Sequence, residues 1–391
     1  MTTTIESPVG LSDADYQQLR ERICTAIWTE LDPLEEQIEN DEQIPNDIVL
    51  PILKRIGAFG LLVPREYGGS GLSIAQYLPI IAEFAKIQGG LRVIVHVHNS
   101  FAHALSEIGN ADQKAAVLPG AARGDLSVAF GLTEPGHGTG ADLGSIARRD
   151  GEEYVLTGEK WLITNSDIAS HFILFAKTGD TAVSAFLTPR HTPGLTITPL
   201  PETMGCKGGE HGRITLDSVR VPATALIGRE GEGNEHLERA LEVSRVFIAA
   251  SSLGTSERAL ELSLAHATSR VTFGKPIGSR QAIQRYLAEM ATDIYALRGM
   301  LADCASKWDR GQRIPAEASM CKLFGLEAVG RVTDRALLIH GGIGYTRAHP
   351  VERLYRDARL NWLEEGTPTI QYLVAAGQLL GGYEYDDAFT I

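Results

Sequence analysis

The chain has 391 residues, 43% hydrophobic and 22% charged, the proportions of a soluble globular protein large enough for two or three domains. Its formal net charge of −13 argues against nucleic acid as a partner, because an acidic surface repels phosphate backbones. No apolar run approaches the roughly 18 residues of a membrane span, and Cys24, Cys206, Cys304 and Cys321 form no CxxC, so neither a disulfide framework nor a structural zinc site is expected, and a reducing cytoplasm is.

Residues 1–8 carry neither the basic nor the apolar stretch of a signal peptide and read as a frayed tail. From about Ser12 to Val128 the pattern is helical. Leu11-Ser12-Asp13 offers a helix start, and Leu19, Ile23, Ile27 and Leu31 recur every four residues, marking one face. Gly60-Leu61-Leu62-Val63-Pro64 is expected to end a helix, and Tyr67 to Gly71 to make a turn. From about Phe130 to Gly233 the pattern becomes strand-like. Tyr154 to Thr164 reads as two strands around a turn at Gly158. His171 to Ala176, Ala182 to Leu187, Leu195 to Ile197 and Arg213 to Leu216 add short segments, at intervals typical of a small barrel or sandwich. Long helices return after Glu235, with Leu253, Leu260, Leu264 and Ala267 expected on one buried stripe, and with Gln281 to Asp309 and Ala316 to Ile339 almost free of Gly and Pro. Helices, then strands, then helices is not the alternation of a doubly wound fold, and no GxGxxG joins a strand to a helix.

Four segments carry more glycine, threonine and charge than connections need. Leu132-Thr133-Glu134-Pro135-Gly136 through Asp142 can present backbone N–H groups and hydroxyls to a polar ligand. Lys160 to Ser166 ends a strand with Trp161 and Thr164, able to pack on and bond to a planar ring. Arg270-Val271-Thr272-Phe273-Gly274 follows a helix, and the guanidinium fork of Arg270 matches phosphate oxygens. His340-Gly341-Gly342-Ile343-Gly344-Tyr345 leads through a charge-dense helix to Glu364-Glu365-Gly366-Thr367, where a carboxylate at a helix break can act as a base.

In this order and spacing the segments resemble the acyl-CoA dehydrogenase family, from about Asp13 to Leu380. Ile163-Thr164-Asn165, Asp217 to Pro222 and Arg356-Asp357-Ala358 are further points of likeness. The resemblance implies a mainly α fold with a central β domain: an N-terminal helical domain (1–128), a middle β-barrel domain (129–234) and a C-terminal four-helix bundle (235–391). FAD would lie between domains and reach a neighbouring subunit of a homotetramer. Thr133 and Thr164 match positions that bond the flavin ring, beside Trp161. Thr139 matches a position near the flavin phosphates and the substrate's thioester arm. Arg270, Phe273 and Gln281 match the set that holds the diphosphate and adenine side, and Gly342 and Thr367 match further FAD contacts. Arg245, Tyr345 and Gly366 are expected on the substrate side.

Glu365 matches the catalytic base of the family's larger branch. A smaller branch carries its base just before an Arg on an earlier helix, and here that position is Ser244, before Arg245. The implied reaction is α,β-dehydrogenation of a short or medium acyl thioester. Glu365 would take the Cα proton while hydride passes from Cβ to flavin N5, and electrons would leave to an electron-transfer flavoprotein. The thioester oxygen would be stabilised by a flavin ribityl hydroxyl and the backbone N–H of the base. Alternatives are a specialised-metabolism enzyme acting on an acyl-CoA or acyl carrier protein with unusual regiochemistry, an oxygenase of the same fold, and a silent binding protein.

Some residues depart from the family pattern. Leu162 stands where an aromatic often shields the flavin, and on a regular strand Trp161 would face the other way. Leu338 replaces a Gln, and Gly140 an Asp. Glu364 replaces an apolar residue and is expected to point to solvent. Arg92, in an apolar helix, aligns with the arginine that binds the far carboxylate in glutaryl-CoA dehydrogenases, which would make the substrate dicarboxylic; otherwise it is paired elsewhere or snorkels to water. His96 and His98 fall on different helix faces, so no metal site is expected.

Overall fold

A computed structural model describes residues 10–139, 142–200 and 203–382. The expected tail (1–8) and Gly140 lie outside them. The described helices are α1 (Asp13–Ala26), α2 (Glu35–Asp41), α3 (Asn46–Ile56), α4 (Ile74–Phe84), α5 (Gly89–Ile108), α6 (Ala111–Arg123), α7 (Gly233–Ser269), α8 (Gln281–Asp309), α9 (Pro315–His340), α10 (Val351–Ala358) and α11 (Pro368–Leu380). The strands are β1 (Val128–Gly131), β2 (Ile146–Asp150), β3 (Glu153–Thr164), β4 (His171–Lys177), β5 (Val183–Pro189), β6 (Leu195–Pro199), β7 (His211–Pro222), β8 (Leu226–Ile227), β9 (Val271–Thr272) and β10 (Lys275–Pro276). The expected order of helices, strands and helices is therefore present. Among the described residues no helix is long and apolar enough to cross a membrane.

The chain divides into two compact units, one holding residues 87–241 with the described residues before 81, the other holding residues 81–86 with those from 242 on. In the first unit the Ser12 hydroxyl caps α1 by accepting from the Asp15 N–H at 3.2 Å. Leu19, Ile23, Ile27 and Leu31 are all buried as one face, although the helix widens into a π-type turn at Ile27–Leu31. Helix α3 stops at Ile56, earlier than Gly60 to Pro64 suggested, because Gly57 takes φ +79 and its N–H closes the last turn onto Leu53 and Lys54 carbonyls. Nearly every residue of α5 is buried, so this helix forms the middle of its layer.

The large sheet runs β6-β7-β3-β2-β4-β5-β8, with β1 added parallel to β4. Its apolar face is closed by Leu156, Phe172, Phe186, Ile214 and Val219. The expected turn at Gly158 does not exist. Residues 153–164 form one continuous strand, and its pairing with β7 shifts register between Leu156 and Gly158. Glycine is needed there because a Cβ would lie 2.7 Å from the Ser145 Cα, so the residue serves a bulge and a close approach rather than a reversal.

In the second unit, α8 has the expected bounds and α9 extends them by one residue at each end. The stripe on α7 is only partly as expected. Leu253 and Ala267 are buried, but Leu264 is 46% exposed. No disulfide joins Cys24, Cys206, Cys304 or Cys321.

Candidate active site

In the first unit, candidate site residues lie on the loop from Leu132 and at the end of β3. Glu134 anchors that loop. Its carboxylate is 2% exposed and lies 2.6 Å from the Lys160 Nζ, itself 0% exposed. It also accepts the N–H groups of Gly144 and Ser145. Burial works to raise the Glu134 carboxyl, but the Lys160 ammonium and these donors outweigh it and hold it below the usual carboxylate range. Burial pushes the Lys160 ammonium down to about 8, against the pull of Glu134. Lys160 Nζ also donates to the Leu132 carbonyl at 3.3 Å, and the Trp161 N–H to the Thr133 carbonyl at 2.8 Å. Thr133 and Trp161 are thus tied backbone to backbone, and the Thr133 and Thr139 side chains stay exposed.

A second register shift falls between Lys160 and Ile163, where Leu162 takes φ +56 and is 41% exposed. Strict alternation therefore does not hold at this point, and the expectation that Trp161 must face away from the ring-shielding side loses its basis. The Thr164 Oγ1 lies 2.9 Å from His211 Nδ1, directly across on β7. His211 had no role in the sequence reading; only strand register could have revealed it.

Arg92 on α5 is 3% exposed, so its head does not snorkel to solvent. Its positive charge works against burial at the Tyr77 phenol, whose pKa burial raises. His98 bonds to the Ala121 carbonyl (3.0 Å) and the Ser127 hydroxyl (3.2 Å), and His96 to Ser100 (3.3 Å), as packing histidines do. Among the described residues no group of three or more His, Cys, Asp or Glu could hold a metal ion.

Glu365 lies in the second unit. After α10 a short 3-10 turn (Arg359–Trp362) leads into a backbone reversal, with Glu365 at φ +55 and Gly366 at φ +89. A non-glycine residue in that conformation is strained and requires its surroundings to hold it. Lys322 of α9, 0% exposed, donates to the carbonyls of Glu364 and Gly366. Gln371 of α11, also 0% exposed, donates to the carbonyls of Glu365 and Gly366, both at 3.0 Å. Burial pushes Lys322 down to about 8, resisted by Glu365 and Glu364 and assisted by Arg245. Glu364 does not simply point to solvent, since its Oε1 is buried. The residue as a whole is half-buried, and the Lys322 charge interacts with it. Arg245 is 5% exposed on α7. Thr367, exposed, precedes Pro368 at the start of α11.

The remaining residues sit elsewhere in this unit. After α7, β9 and β10 form a two-residue hairpin whose tip is Phe273 (φ +48) and Gly274 (φ +75). Type I′ turns require positive φ at both central positions, and glycine supplies it more readily than phenylalanine. The Phe273 ring is 96% exposed, with the Arg280 guanidinium 5.3 Å from its centre. Arg270 is exposed just before the hairpin, and Gln281 is exposed at the start of α8. Gly342 is open, Tyr345 is 91% exposed and Leu338 57%. The His266 and His340 rings stack with centroids 4.5 Å apart, and the His349 ring meets His340 at a tilt, 4.4 Å away.

Three helical, strand and helical segments match the N-terminal, middle and C-terminal domains of acyl-CoA dehydrogenases over residues 13–125, 129–219 and 231–380. An acyl-CoA dehydrogenase of Bacillus subtilis is 37% identical over 90% of this chain and 94% of its own. The human short-chain specific acyl-CoA dehydrogenase is 35% identical over 97% and 93%. The butyryl-CoA dehydrogenase structure of Megasphaera elsdenii superposes with a TM-score of 0.90 at 30% identity, covering 95% of this chain and 99% of that one. The chain belongs to the acyl-CoA dehydrogenase family. It is an oxidoreductase acting on CH–CH donors with FAD as its cofactor.

Proposed function

We propose that this enzyme removes the Cα proton of a short acyl-CoA thioester with Glu365. The observation that carries the reading is the left-handed turn at Glu365-Gly366, held by the buried Lys322 and Gln371. A base set on a fixed backbone loses little entropy in reaching its proton, which is how positioning accelerates proton transfer. Gly366 permits the turn, and Arg245, Thr139 and Tyr345 are assigned to the substrate side. The human short-chain and M. elsdenii butyryl-CoA relatives favour a short acyl chain.

The donors present suit FAD. Thr133 and Thr139 are exposed, His211 steers the Thr164 hydroxyl, and the half-buried Trp161 is tied to Thr133 through its backbone. Arg270 offers an exposed guanidinium, and Phe273 an exposed ring at the tip of a strained hairpin. Gln281, Gly342 and Thr367 complete the set. When bound, FAD supplies the acceptor for the two electrons that leave with the Cβ hydrogen. The chain's residues orient the ester and take the proton. The exposed Phe273, Tyr345 and Leu338 favour a homotetramer in which copies cover one another. An electron-transfer flavoprotein is the assigned acceptor of the electrons. Residues 1–128, 129–234 and 235–391 are taken as the three domains.

Arg92 favours a second reading, in which the ester is dicarboxylic. Arg92 is 3% exposed in an apolar helix, at the position that aligns with the carboxylate-binding arginine of glutaryl-CoA dehydrogenases. Anaerobic titration with butyryl- and glutaryl-CoA, following the flavin's visible band, tests both readings. Bleaching of the native enzyme by butyryl-CoA, lost in Glu365→Gln with the ester still binding, is expected. Bleaching of Glu365→Gln at the native rate overturns the role of Glu365. Bleaching by glutaryl-CoA alone, abolished in Arg92→Met, would establish the second reading over the first.

A further inference from the structure

The three consecutive carbonyls around Glu365 are all engaged by fully buried side chains from two other helices. Lys322 takes those of Glu364 and Gly366, and Gln371 those of Glu365 and Gly366. A trans peptide is planar, and its N–H points opposite to its C=O. No cis peptide occurs among the described residues. Holding the Glu364 carbonyl against Lys322 therefore fixes the direction of the N–H of Glu365, which belongs to the same peptide. An ammonium on the oxygen of a peptide also draws electron density from its nitrogen, making the N–H a stronger donor.

We infer that Lys322 is a positioning residue for proton abstraction, which aims and polarises the Glu364–Glu365 peptide so that its N–H stabilises the enolate oxygen of the thioester, while Gln371 locks the turn that carries the Glu365 carboxylate. This rests on Glu365 being the base. The C–H bond at Cα breaks, its electron pair passes into the enolate, and its proton goes to the Glu365 carboxylate. Lys322 and Gln371 exchange no atoms with the ester. A mere structural strut would need no charge, yet the group at this buried place is an ammonium, and removing a cation from water is costly. The charged groups that face it are Glu364 and Glu365 on the turn and Arg245 on α7.

The test uses the FAD-loaded enzyme and 3-thiabutyryl-CoA in D2O. Sulfur in place of the β-carbon leaves a removable α-proton and no hydride to transfer, so exchange of the α-proton, read by NMR, reports abstraction alone. Lys322→Met is expected to slow exchange about 100-fold, the size of losing one donor to a developing oxyanion, with little change in ester affinity. Gln371→Leu is expected to slow it about 10-fold, since one neutral hydrogen bond to each carbonyl is lost. Native exchange should fall as the pH rises through about 8, where Lys322 discharges, and Lys322→Met should lack this limb. A folded, flavin-bound Lys322→Met with native exchange, or with the pH limb intact, overturns the proposal. If Lys322→Met does not fold, native exchange in Gln371→Leu overturns it instead. Glu365→Gln separates the two layers. Native exchange in that variant removes the base, whereas an inert Glu365→Gln beside fully active Lys322 and Gln371 variants removes only the positioning role.

Discussion

Replacing Lys160 with methionine leaves the Glu134 carboxylate 2% exposed and without its cation, which stood at 2.6 Å. Breaking a buried pair from one side costs about 3–5 kcal/mol. Glu134 keeps the N–H groups of Gly144 and Ser145, so the lower end, about 3 kcal/mol, is expected. The same change removes the donor to the Leu132 carbonyl and loosens the loop that presents Thr133. Urea unfolding followed by circular dichroism gives the stability, and release of flavin fluorescence gives FAD retention. Lys160→Met should lose both. The double variant Lys160→Met/Glu134→Gln should recover most of the stability, because the amide that replaces the carboxylate can still accept an N–H and carries no charge. A single variant within about 1 kcal/mol of the native protein, or a double variant no more stable than the single, would refute the assignment of Glu134–Lys160 as the loop's anchor.

Other expectations follow from the same geometry. His98 is fully buried, and burial pushes its pKa down to about 4. A group depressed in the fold contributes stability that is full above its unfolded value and lost as pH falls through the folded one, so about 3 kcal/mol should disappear between pH ~6.5 and ~4. Unfolding of a His98→Gln variant should depend less on pH in that window. Gly366→Ala places a Cβ 2.9 Å from the bonded Gln371 amide at φ +89, and should cost about 1–3 kcal/mol in thermal unfolding together with most of the flavin-reduction rate. Phe273→Gly relieves a positive φ and should raise stability by up to about 1 kcal/mol, while FAD retention falls.

The sequence told most where a local rule decides the outcome. Ser12 announces α1 because its hydroxyl needs only the Asp15 N–H, three residues on. Gly158 misleads because glycine marks both turns and bulges, and what separates them is Ser145, which is distant in sequence. The family motifs single out Glu365, the proposed base, but not the side chains that hold its turn. Lys322 and Gln371 look like solvent-facing helix residues when taken singly. A signal was present, however. Lys322 lies three and four residues from Ser319, Ala318, Gly325 and Leu326, all buried, so it falls on the inward stripe of α9. Glu364, expected to point to solvent, is half-buried with its Oε1 covered, and the Lys322 that holds its carbonyl stands 42 residues earlier.

That separation bears on engineering. A short Glu-Gly-Thr segment invites transfer into other helix-to-helix connections as a ready-made base. Here its shape is enforced by a cation from one helix and an amide from another, so the portable unit is the turn with α9 and α11 around it. A grafted loop lacking both supports would relax toward right-handed backbone. With Glu365 as the proposed base, searches for new carbon-acid enzymes would gain selectivity by asking for a buried lysine behind the turn as well as for the carboxylate on it.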